Sequence, residues 1–397
     1  MKDDNARRLR ANRTFLAEEF CDLDAFRALV ERAVDPEDYP FASDVVSNVL
    51  IYDGDAVRSA AASPDSRREM MAEWVEAMTD GPGIIVFRKA FANLEPIEAA
   101  NAHFWAMIDE QHRNNSARGD HFAKPGANDR VWNALEKLCL ADPAVFAAYY
   151  GAAIIALVSE AWLGPFYQIT SQLNVVNPGG DAQVSHRDYH MGFQTAREIE
   201  RFPAHAHRLS PMLTLQGAVA HCDMPLESGP TLYLPFSQTY LPGYLAALRD
   251  DFRAYFEARR IQLPLMTSDA VFFNPALFHA AGSNRSKDIK RIANLLQISS
   301  AYGRAMESVD RLKMSVKLYP ALQRLIAEGA IGAEAADNAI AAAAEGYSFP
   351  TNLDRDPALG GLAPQSQQAL MRQALAEGWT PEAFAEAAEA QAQRKLT

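Results

Sequence analysis

The most constraining feature of this chain is a series of short apolar runs between about Gln168 and Ser300. Each run is rich in β-branched or aromatic residues, and Gly, Pro and Asn stand between the runs, as they do between strands. Many short strands with such turns favour an antiparallel barrel or sandwich over a doubly wound sheet. The candidate strands are QITSQLNVVN, AQVSHRDY, MLTLQGAVAH, TLYLPF, DAVFFNP and RIANLLQIS.

Helical sequence lies on both sides of these strands, which indicates an α+β fold class. Residues 1–80 predict a helical N-terminal extension, and residues 304–397 predict a helical C-terminal extension. Residues 81–303 are the predicted core with its packing helices, and they open with a turn and a strand at Ile84–Phe87. The last helix has a clear start, because Thr380 suits an N-cap and a proline follows it directly.

The longest uncharged run, AVFAAYYGAAIIALV, covers Ala144–Val158 and is 15 residues long. A membrane-spanning helix needs about 20 apolar residues. The run is therefore interpreted as a buried helix, and no membrane partner is expected.

Charge and cysteine content exclude several functional classes. Lys and Arg number 38 against 50 Asp and Glu, so the formal net charge is −12. Such a field repels nucleic acid and anionic membranes. The three cysteines stand far apart, which fits a reduced compartment and offers no disulfide framework. The N-terminus lacks the apolar segment of a secretory signal, so we expect a cytoplasmic protein.

The stretch SHRDYHMGF contains the candidate metal ligands. On a strand, side chains alternate, so His186, Asp188 and His190 should point to one face. A third ligand must come from elsewhere, and His279 follows a strongly strand-like run. Two histidines and one carboxylate leave three octahedral positions open, as in non-haem Fe(II) oxygenases. Zinc hydrolases also use this donor set, but commonly in a helical HExxH motif, which the sequence lacks.

Three segments in order resemble the phytanoyl-CoA dioxygenase family. QLNVVNPGGDAQVSHRDYH is similar to its metal-binding strand, and LESGPTLYLPFSQ to its next motif, with Gln238 where a histidine is usual. DAVFFNPALFHAAGSNRSKDIKR is similar to its distal-histidine segment. The resemblance covers about a third of the chain. It implies a double-stranded β-helix (a jelly-roll, cupin-like core) with Fe(II) held by His186, Asp188 and His279, and with 2-oxoglutarate and O2 as cosubstrates.

The family also holds the far carboxylate of 2-oxoglutarate with a cation. A guanidinium suits this role because it donates two parallel hydrogen bonds. Arg291, twelve residues after His279, is the preferred candidate, with Lys290 and Arg285 as alternatives.

The resemblance departs from the family pattern at Ala281, where relatives often carry a serine that helps to hold 2-oxoglutarate. Another polar group must then supply that hydrogen bond. The candidates are Gln172, Asn174 and, less favoured, Thr231.

The resemblance implies an oxidoreductase, a hydroxylase that oxidises an unactivated C–H bond and releases succinate and CO2. Asp188 favours hydroxylation, or another oxidation at carbon, over halogenation, because related halogenases vacate that position. The substrate contacts are expected to include Gln183, His190 and Phe193. Two rivals remain, a ligand-binding barrel without catalysis and a cupin-type metalloenzyme that does not use 2-oxoglutarate. The expected substrate is a small, partly apolar metabolite, and a homo-oligomer is compatible with the helical C-terminal region.

Overall fold

The computed structural model describes residues 2–114, 116 and 126–396. Helices and strands are interspersed along the described residues, with runs of consecutive helices. The helices are α1 (Lys2–Thr14), α2 (Leu23–Val30), α3 (Gly54–Ala61), α4 (Pro64–Thr79), α5 (Glu95–Arg113), α6 (Ala134–Ala141), α7 (Pro143–Tyr150), α8 (Ala153–Leu163), α9 (Ala196–Ile199), α10 (Ala204–Met212), α11 (Gly243–Ala246), α12 (Asp250–Arg259), α13 (Arg311–Ala327), α14 (Ala333–Ala343), α15 (Gln367–Glu377) and α16 (Pro381–Arg394). The strands are β1 (Asp44–Val46), β2 (Val49–Asp53), β3 (Ile84–Arg88), β4 (Asn128–Val131), β5 (Gln168–Val176), β6 (Thr214–Ala220), β7 (Leu232–Leu234), β8 (Ile261–Gln262), β9 (Ala270–Phe273), β10 (Phe278–Ala280) and β11 (Arg291–Ser299).

The strands form one large and one small sheet. The eight-stranded sheet has the order β1-β2-β3-β9-β6-β11-β5-β4, and the three-stranded sheet has the order β10-β7-β8. β9 pairs antiparallel with both β3 and β6, whereas β2 and β3 are parallel. The small sheet is antiparallel throughout. A large sheet with many helices confirms the mixed α and β content, while closure into a double-stranded β-helix stays a prediction.

The chain divides into two compact units. The first comprises Met1–Ala92, Arg118–Arg130 and Asn174–Leu295, and the second comprises Asn93–Ala117, Val131–Leu173 and Leu296–Thr397. The predicted division at residues 80 and 303 stays a prediction.

An aromatic cluster forms part of the core of the first unit. The ring of Phe26 on α2 meets those of Tyr240, Phe252 and Tyr255 edge-on, with ring centroids 5.2–5.8 Å apart. Phe26 and Phe252 are fully buried, so α2 and α12 are held together mainly by apolar burial.

The helices of the second unit include both the predicted last helix and the long uncharged run. α16 begins as predicted, because the Thr380 side chain accepts a hydrogen bond from the Ala383 amide. The run at 144–158 is largely buried but forms two helices, α7 and α8, rather than one. The break lies at Ala152, which is extended and precedes α8. The residue before it is a glycine, and a Cβ there would lie 2.5 Å from the Ala147 carbonyl oxygen.

Among the described residues, no helix taken singly has the length and apolar character to cross a membrane. α7 and α8 meet that requirement only as a pair, and the pair is bent by 61° at the break.

Two sequence expectations are wrong in detail. The N-terminal region contains β1 and β2 as well as helices, because the short run VLIYD is buried nearly throughout and a run of that length has no diagnostic periodicity. AQVSHRDY was expected to form a strand, yet it makes only an isolated bridge between His186 and His279. The backbone then turns into the left-handed region at Tyr189 (φ 56°) and His190 (φ 46°), which ends any strand.

Candidate metal centre

Backbone hydrogen bonds bring the three predicted ligands together in the first unit. His279 lies in the middle of β10, where it faces Tyr233 of β7. The His186 amide donates to the His279 carbonyl (3.0 Å), and the His279 amide donates to the His186 carbonyl (3.2 Å). The Asp188 amide donates to the Pro275 carbonyl (3.0 Å). The small sheet thus serves as the platform on which the loop carrying His186 and Asp188 is fixed.

The three side chains converge on one point. One ligand atom from each of His186, Asp188 and His279 lies within 4.8 Å of the others. His279 Nε2 is 3.3 Å from Asp188 Oδ2, and His186 Nε2 is 3.6 Å from Asp188 Oδ1. Two ligand atoms about 2.1 Å from one ion and at right angles to each other are about 3 Å apart. The donor set therefore fits a single divalent ion.

The hydrogen bonds of both imidazoles define which nitrogen is available to a metal. His186 Nδ1 lies 2.8 Å from the Val184 carbonyl, and His279 Nδ1 lies 2.8 Å from the Leu277 carbonyl. A carbonyl oxygen only accepts, so Nδ1 carries the proton in both rings. Each Nε2 then directs a lone pair towards the Asp188 carboxylate, an arrangement that a cation between the groups stabilises.

The environment of Asp188 keeps its carboxylate charged. Burial by itself raises the pKa of this carboxyl, but the imidazoles of His279 and His186, when they are protonated, and the hydrogen bond from the Gln216 amide hold the pKa well below its ordinary value. Gln216 Nε2 donates to Asp188 Oδ2. The sequence reasoning missed Gln216, although a lone amide in the otherwise apolar strand TLQGAVA was a signal for it.

A cavity of about 490 Å³ opens beside the ligands in the first unit. Its lining includes the predicted residues His186, Asp188, Asn174, Gln183 and Phe193. His279 and Arg291 are not part of this lining. The remaining lining residues are Ala127, Asn128, Val176, Gly180, Asp181, Ala182, Val184, Ser185, Arg187, Gly192, Arg253 and Ala281.

Arg291 differs from its two sequence alternatives by burial. It begins β11 and is 7 % exposed, whereas Arg285 and Lys290 are exposed. Its Nη1 donates only a long bond, of 3.4 Å, to the Gly282 carbonyl. Burial lowers the pKa of Arg291 to about 10, so it is charged at neutral pH. Within the described part of the chain no carboxylate pairs with it, so the protein compensates its buried charge only weakly, and an anionic ligand would compensate it better.

The other predicted cosubstrate contacts have partners inside the protein. Asn174 Oδ1 accepts a 3.3 Å bond from Arg130 Nε. Thr231 hydrogen-bonds the hydroxyl of the buried Tyr233, a residue that pairs with His279 in the register of the small sheet. Gln172 belongs to the second unit, where its amide pairs with that of Gln297 at 3.1 and 3.4 Å. Their predicted contact with 2-oxoglutarate stays a prediction.

The predicted substrate residues occupy different environments. Gln183 lines the cavity, and its backbone N–H donates to the Ala281 carbonyl. Phe193 also lines the cavity and is 52 % exposed. His190 does not share a strand face with Asp188, because it begins the short 3₁₀ helix His190–Phe193. Burial lowers the pKa of His190, and it is not among the residues that line the cavity.

Arg187, between the first two ligands, is a further residue that the sequence reasoning did not select. Its Nη2 donates to the carbonyls of Ser237 and Tyr240. Its guanidinium lies 5.2 Å from the ring centroids of both Tyr244 and Phe278. The side chain is buried, and it ties the ligand-bearing loop to the segment that follows β7.

Several solved structures share a limited similarity with the chain. The α-ketoglutarate-dependent epimerase SnoN from nogalamycin biosynthesis is 18 % identical, with 60 % of this chain and 82 % of SnoN covered and a TM-score of 0.40. AviO1 from Streptomyces viridochromogenes Tue57 is 18 % identical, with coverages of 59 % and 97 % and a TM-score of 0.43. EctD from S. alaskensis, solved with bound Fe, is 16 % identical, with coverages of 58 % and 77 % and a TM-score of 0.42. Similarity of this degree does not define an activity.

No curated protein sequence matches the chain significantly. The model of the phytanoyl-CoA dioxygenase (PhyH) family matches residues 67–292. This span is more than half of the chain, and it contains the His186, Asp188 and His279 cluster together with Arg291. The expected Fe(II) and 2-oxoglutarate agree with this match and with a His-Asp-His cluster able to hold iron. The chain belongs to the phytanoyl-CoA dioxygenase family.

Proposed function

We propose that the chain is an Fe(II)- and 2-oxoglutarate-dependent dioxygenase that oxidises an unactivated C–H bond of a small metabolite. One observation carries the proposal. Two imidazole Nε2 atoms and a charged carboxylate converge within 4.8 Å, and both Nδ1 atoms are already engaged by backbone carbonyls. Membership of a dioxygenase family supports the same reaction type.

In this proposal each residue has a defined task. His186, Asp188 and His279 hold Fe(II) from one side and leave three coordination positions for 2-oxoglutarate and O2. Arg291 binds the far carboxylate of 2-oxoglutarate, which would give its buried charge a partner. Bound iron with its cosubstrates supplies the oxidising chemistry, and the products are succinate, CO2 and the oxidised substrate.

Asp188 also favours hydroxylation, or another oxidation at carbon, over halogenation. In related halogenases this carboxylate is replaced so that chloride can bind in its place, and here the carboxylate is present. The hydrogen bond from Gln216 Nε2 favours its charged form, so it completes the ligand set as the anionic ligand.

The proposed substrate is small and partly apolar. The cavity volume of about 490 Å³ lies within the usual range of about 300–1,000 Å³ for small-molecule sites. The apolar surface of the cavity comes from Val176, Val184 and Phe193. Its amide groups come from Asn128 and Gln183. These groups would orient a metabolite that has both an apolar part and hydrogen-bonding groups. The net charge of −12 disfavours nucleic acid as a substrate.

A turnover screen tests the proposal. The purified chain is loaded anaerobically with Fe(II), mixed with 2-oxoglutarate and fractionated metabolite pools, and exposed to air while succinate is measured. We expect at least one pool to stimulate succinate release, and we expect none with His279→Ala or without iron. Substrate oxidation without 2-oxoglutarate consumption would favour the cupin-type alternative. Metabolite binding without any oxidation would favour the non-catalytic barrel.

A further inference from the structure

Gln216 makes a direct hydrogen bond to one of the proposed iron ligands. Its Nε2 lies 2.5 Å from Asp188 Oδ2. A charged carboxylate only accepts hydrogen bonds, so the amide nitrogen, and not the amide oxygen, must face it. The contact therefore fixes the orientation of the Gln216 side chain as well as one oxygen of Asp188.

The strand that carries Gln216 is packed tightly against its neighbour. Gln216 on β6 stands directly opposite Phe273 on β9, and the Phe273 ring lies 4.8 Å from the His279 ring. One cross-strand pair thus contacts two of the three ligands. The adjacent Gly217 has no room for a side chain, because a Cβ would lie 2.6 Å from the Phe272 ring. β6 therefore has little freedom to move Gln216 away from Asp188.

The amide oxygen of Gln216 differs from the amide nitrogen in its hydrogen bonding. Oε1 is buried, and it has no hydrogen-bond partner among the described residues. Leaving a buried acceptor unpaired costs free energy. The side chain is accordingly better explained by the bond that its nitrogen makes to Asp188 than by packing in the sheet.

The geometry points to Gln216 as a positioning residue that makes Asp188 a one-oxygen ligand of the metal. This inference rests on the proposed function. An octahedral ion with three protein ligand atoms keeps three open positions, which 2-oxoglutarate (two) and O2 (one) require. A carboxylate that bound through both oxygens would occupy one of them. Because Gln216 Nε2 engages Oδ2, coordination through both oxygens would have to compete with this hydrogen bond, whereas Oδ1, which lies 3.6 Å from His186 Nε2, can bind the ion without such competition.

Metal titration tests this role without requiring turnover. Apoprotein is titrated with Co(II) while visible absorption is followed, and the Fe(II) form is titrated with 2-oxoglutarate while its charge-transfer band is followed. Gln216→Met keeps the length of the side chain but removes the N–H donor to Asp188. We expect Co(II) to bind about 10–100-fold more weakly, as is typical when an outer partner of a ligand is lost. We also expect a shifted or weakened charge-transfer band.

Gln238→Met is the matched control. Like Gln216, Gln238 has a buried Oε1 that is unpartnered among the described residues, and its Nε2 donates to a carbonyl, that of Gly81. It should lose stability but keep the Co(II) affinity of the wild-type chain. If Gln216→Met does not fold, Gln216→Asn provides the same test, because its amide is one methylene too short to reach Asp188.

The outcomes separate this inference from the proposed function. Equal Co(II) affinity and an unchanged charge-transfer band in a folded Gln216 variant would overturn the positioning role, whatever the turnover screen shows. Weaker Co(II) binding together with no succinate from any pool would support the positioning role and count against the oxygenase. A wild-type chain that binds no Co(II) would overturn both.

Discussion

His186 and His279 form a closed pair in which the backbone N–H of each donates to the carbonyl of the other, at 3.0 and 3.2 Å. Residues paired in this way on antiparallel segments present their side chains on the same face. Their imidazole centroids are consequently 4.5 Å apart, although the residues are far apart in the sequence. The backbone thus fixes two of the three proposed ligands.

Asp188→Asn should abolish tight metal binding. The change keeps the size of the side chain but removes the only anionic ligand of the three. We expect the Co(II) affinity to fall by more than the ~10–100-fold that follows loss of an outer partner, with an unchanged circular dichroism spectrum. Asp181→Asn, which alters another carboxylate in the cavity lining, should keep the affinity. Equal loss in both variants would contradict the assignment of Asp188.

Arg291→Lys should weaken 2-oxoglutarate binding while leaving metal binding intact. A lysine keeps the charge but loses the planar fork that matches a carboxylate. A charged hydrogen bond contributes about 1.5–3 kcal/mol, so we expect the dissociation constant from charge-transfer titration to rise about 10–100-fold. Lys290→Gln and Arg285→Gln are the controls, and both should change it less than twofold. A larger effect at either control position would indicate that the residue there, and not Arg291, binds 2-oxoglutarate.

Gly243→Ala should destabilise the protein through Arg187. A Cβ at position 243 would lie 1.9 Å from the guanidinium carbon of Arg187, which is buried and hydrogen-bonded to the Ser237 and Tyr240 carbonyls. Overpacking of this kind costs about 1–3 kcal/mol, and urea unfolding measures it. Gly361→Ala is the control, since its nearest contact would be the Ala363 carbonyl oxygen at 3.7 Å. Equal unfolding midpoints for the two variants would exclude the predicted clash.

His221 should make the folded state sensitive to acid. Burial lowers the pKa of this imidazole from 6.5 to about 3, so the unfolded chain takes up a proton at a pH where the folded chain does not. The contribution of His221 to the free energy of unfolding is therefore fully present above pH 6.5, and it is lost as the pH falls towards 3. At pH 5 the loss is about 2 kcal/mol. His221→Asn should remove this part of the loss between pH 7 and 5 in urea unfolding, and identical pH profiles would refute the prediction.

The sequence was most informative where one short motif carries the chemistry. His186 and Asp188 are two residues apart, and the strand-like run before His279 was recognisable, so the ligand set could be proposed without a structure. Burial then distinguished Arg291 from Lys290 and Arg285, which spacing alone had left open.

Long-range contacts could not be predicted in the same way. The bond from Gln216 to Asp188 joins a strand to a loop that does not pair with it, and no local pattern encodes such a contact. The loop itself was expected to be a strand, because AQVSHRDY alternates like one. Alternation cannot reveal that only one residue of the loop, His186, finds a bridging partner. The placement of His190 failed for the same reason.

The buried guanidinium of Arg187 has a consequence for a cell short of iron. It ties the ligand-bearing loop to the carbonyls of Ser237 and Tyr240, and these contacts do not involve the ion. Many small metal sites become ordered only when the metal arrives. Here the loop is held by the protein itself. A chain that loses its iron would therefore keep its metal site formed and could bind iron again, instead of misfolding and being degraded by proteases.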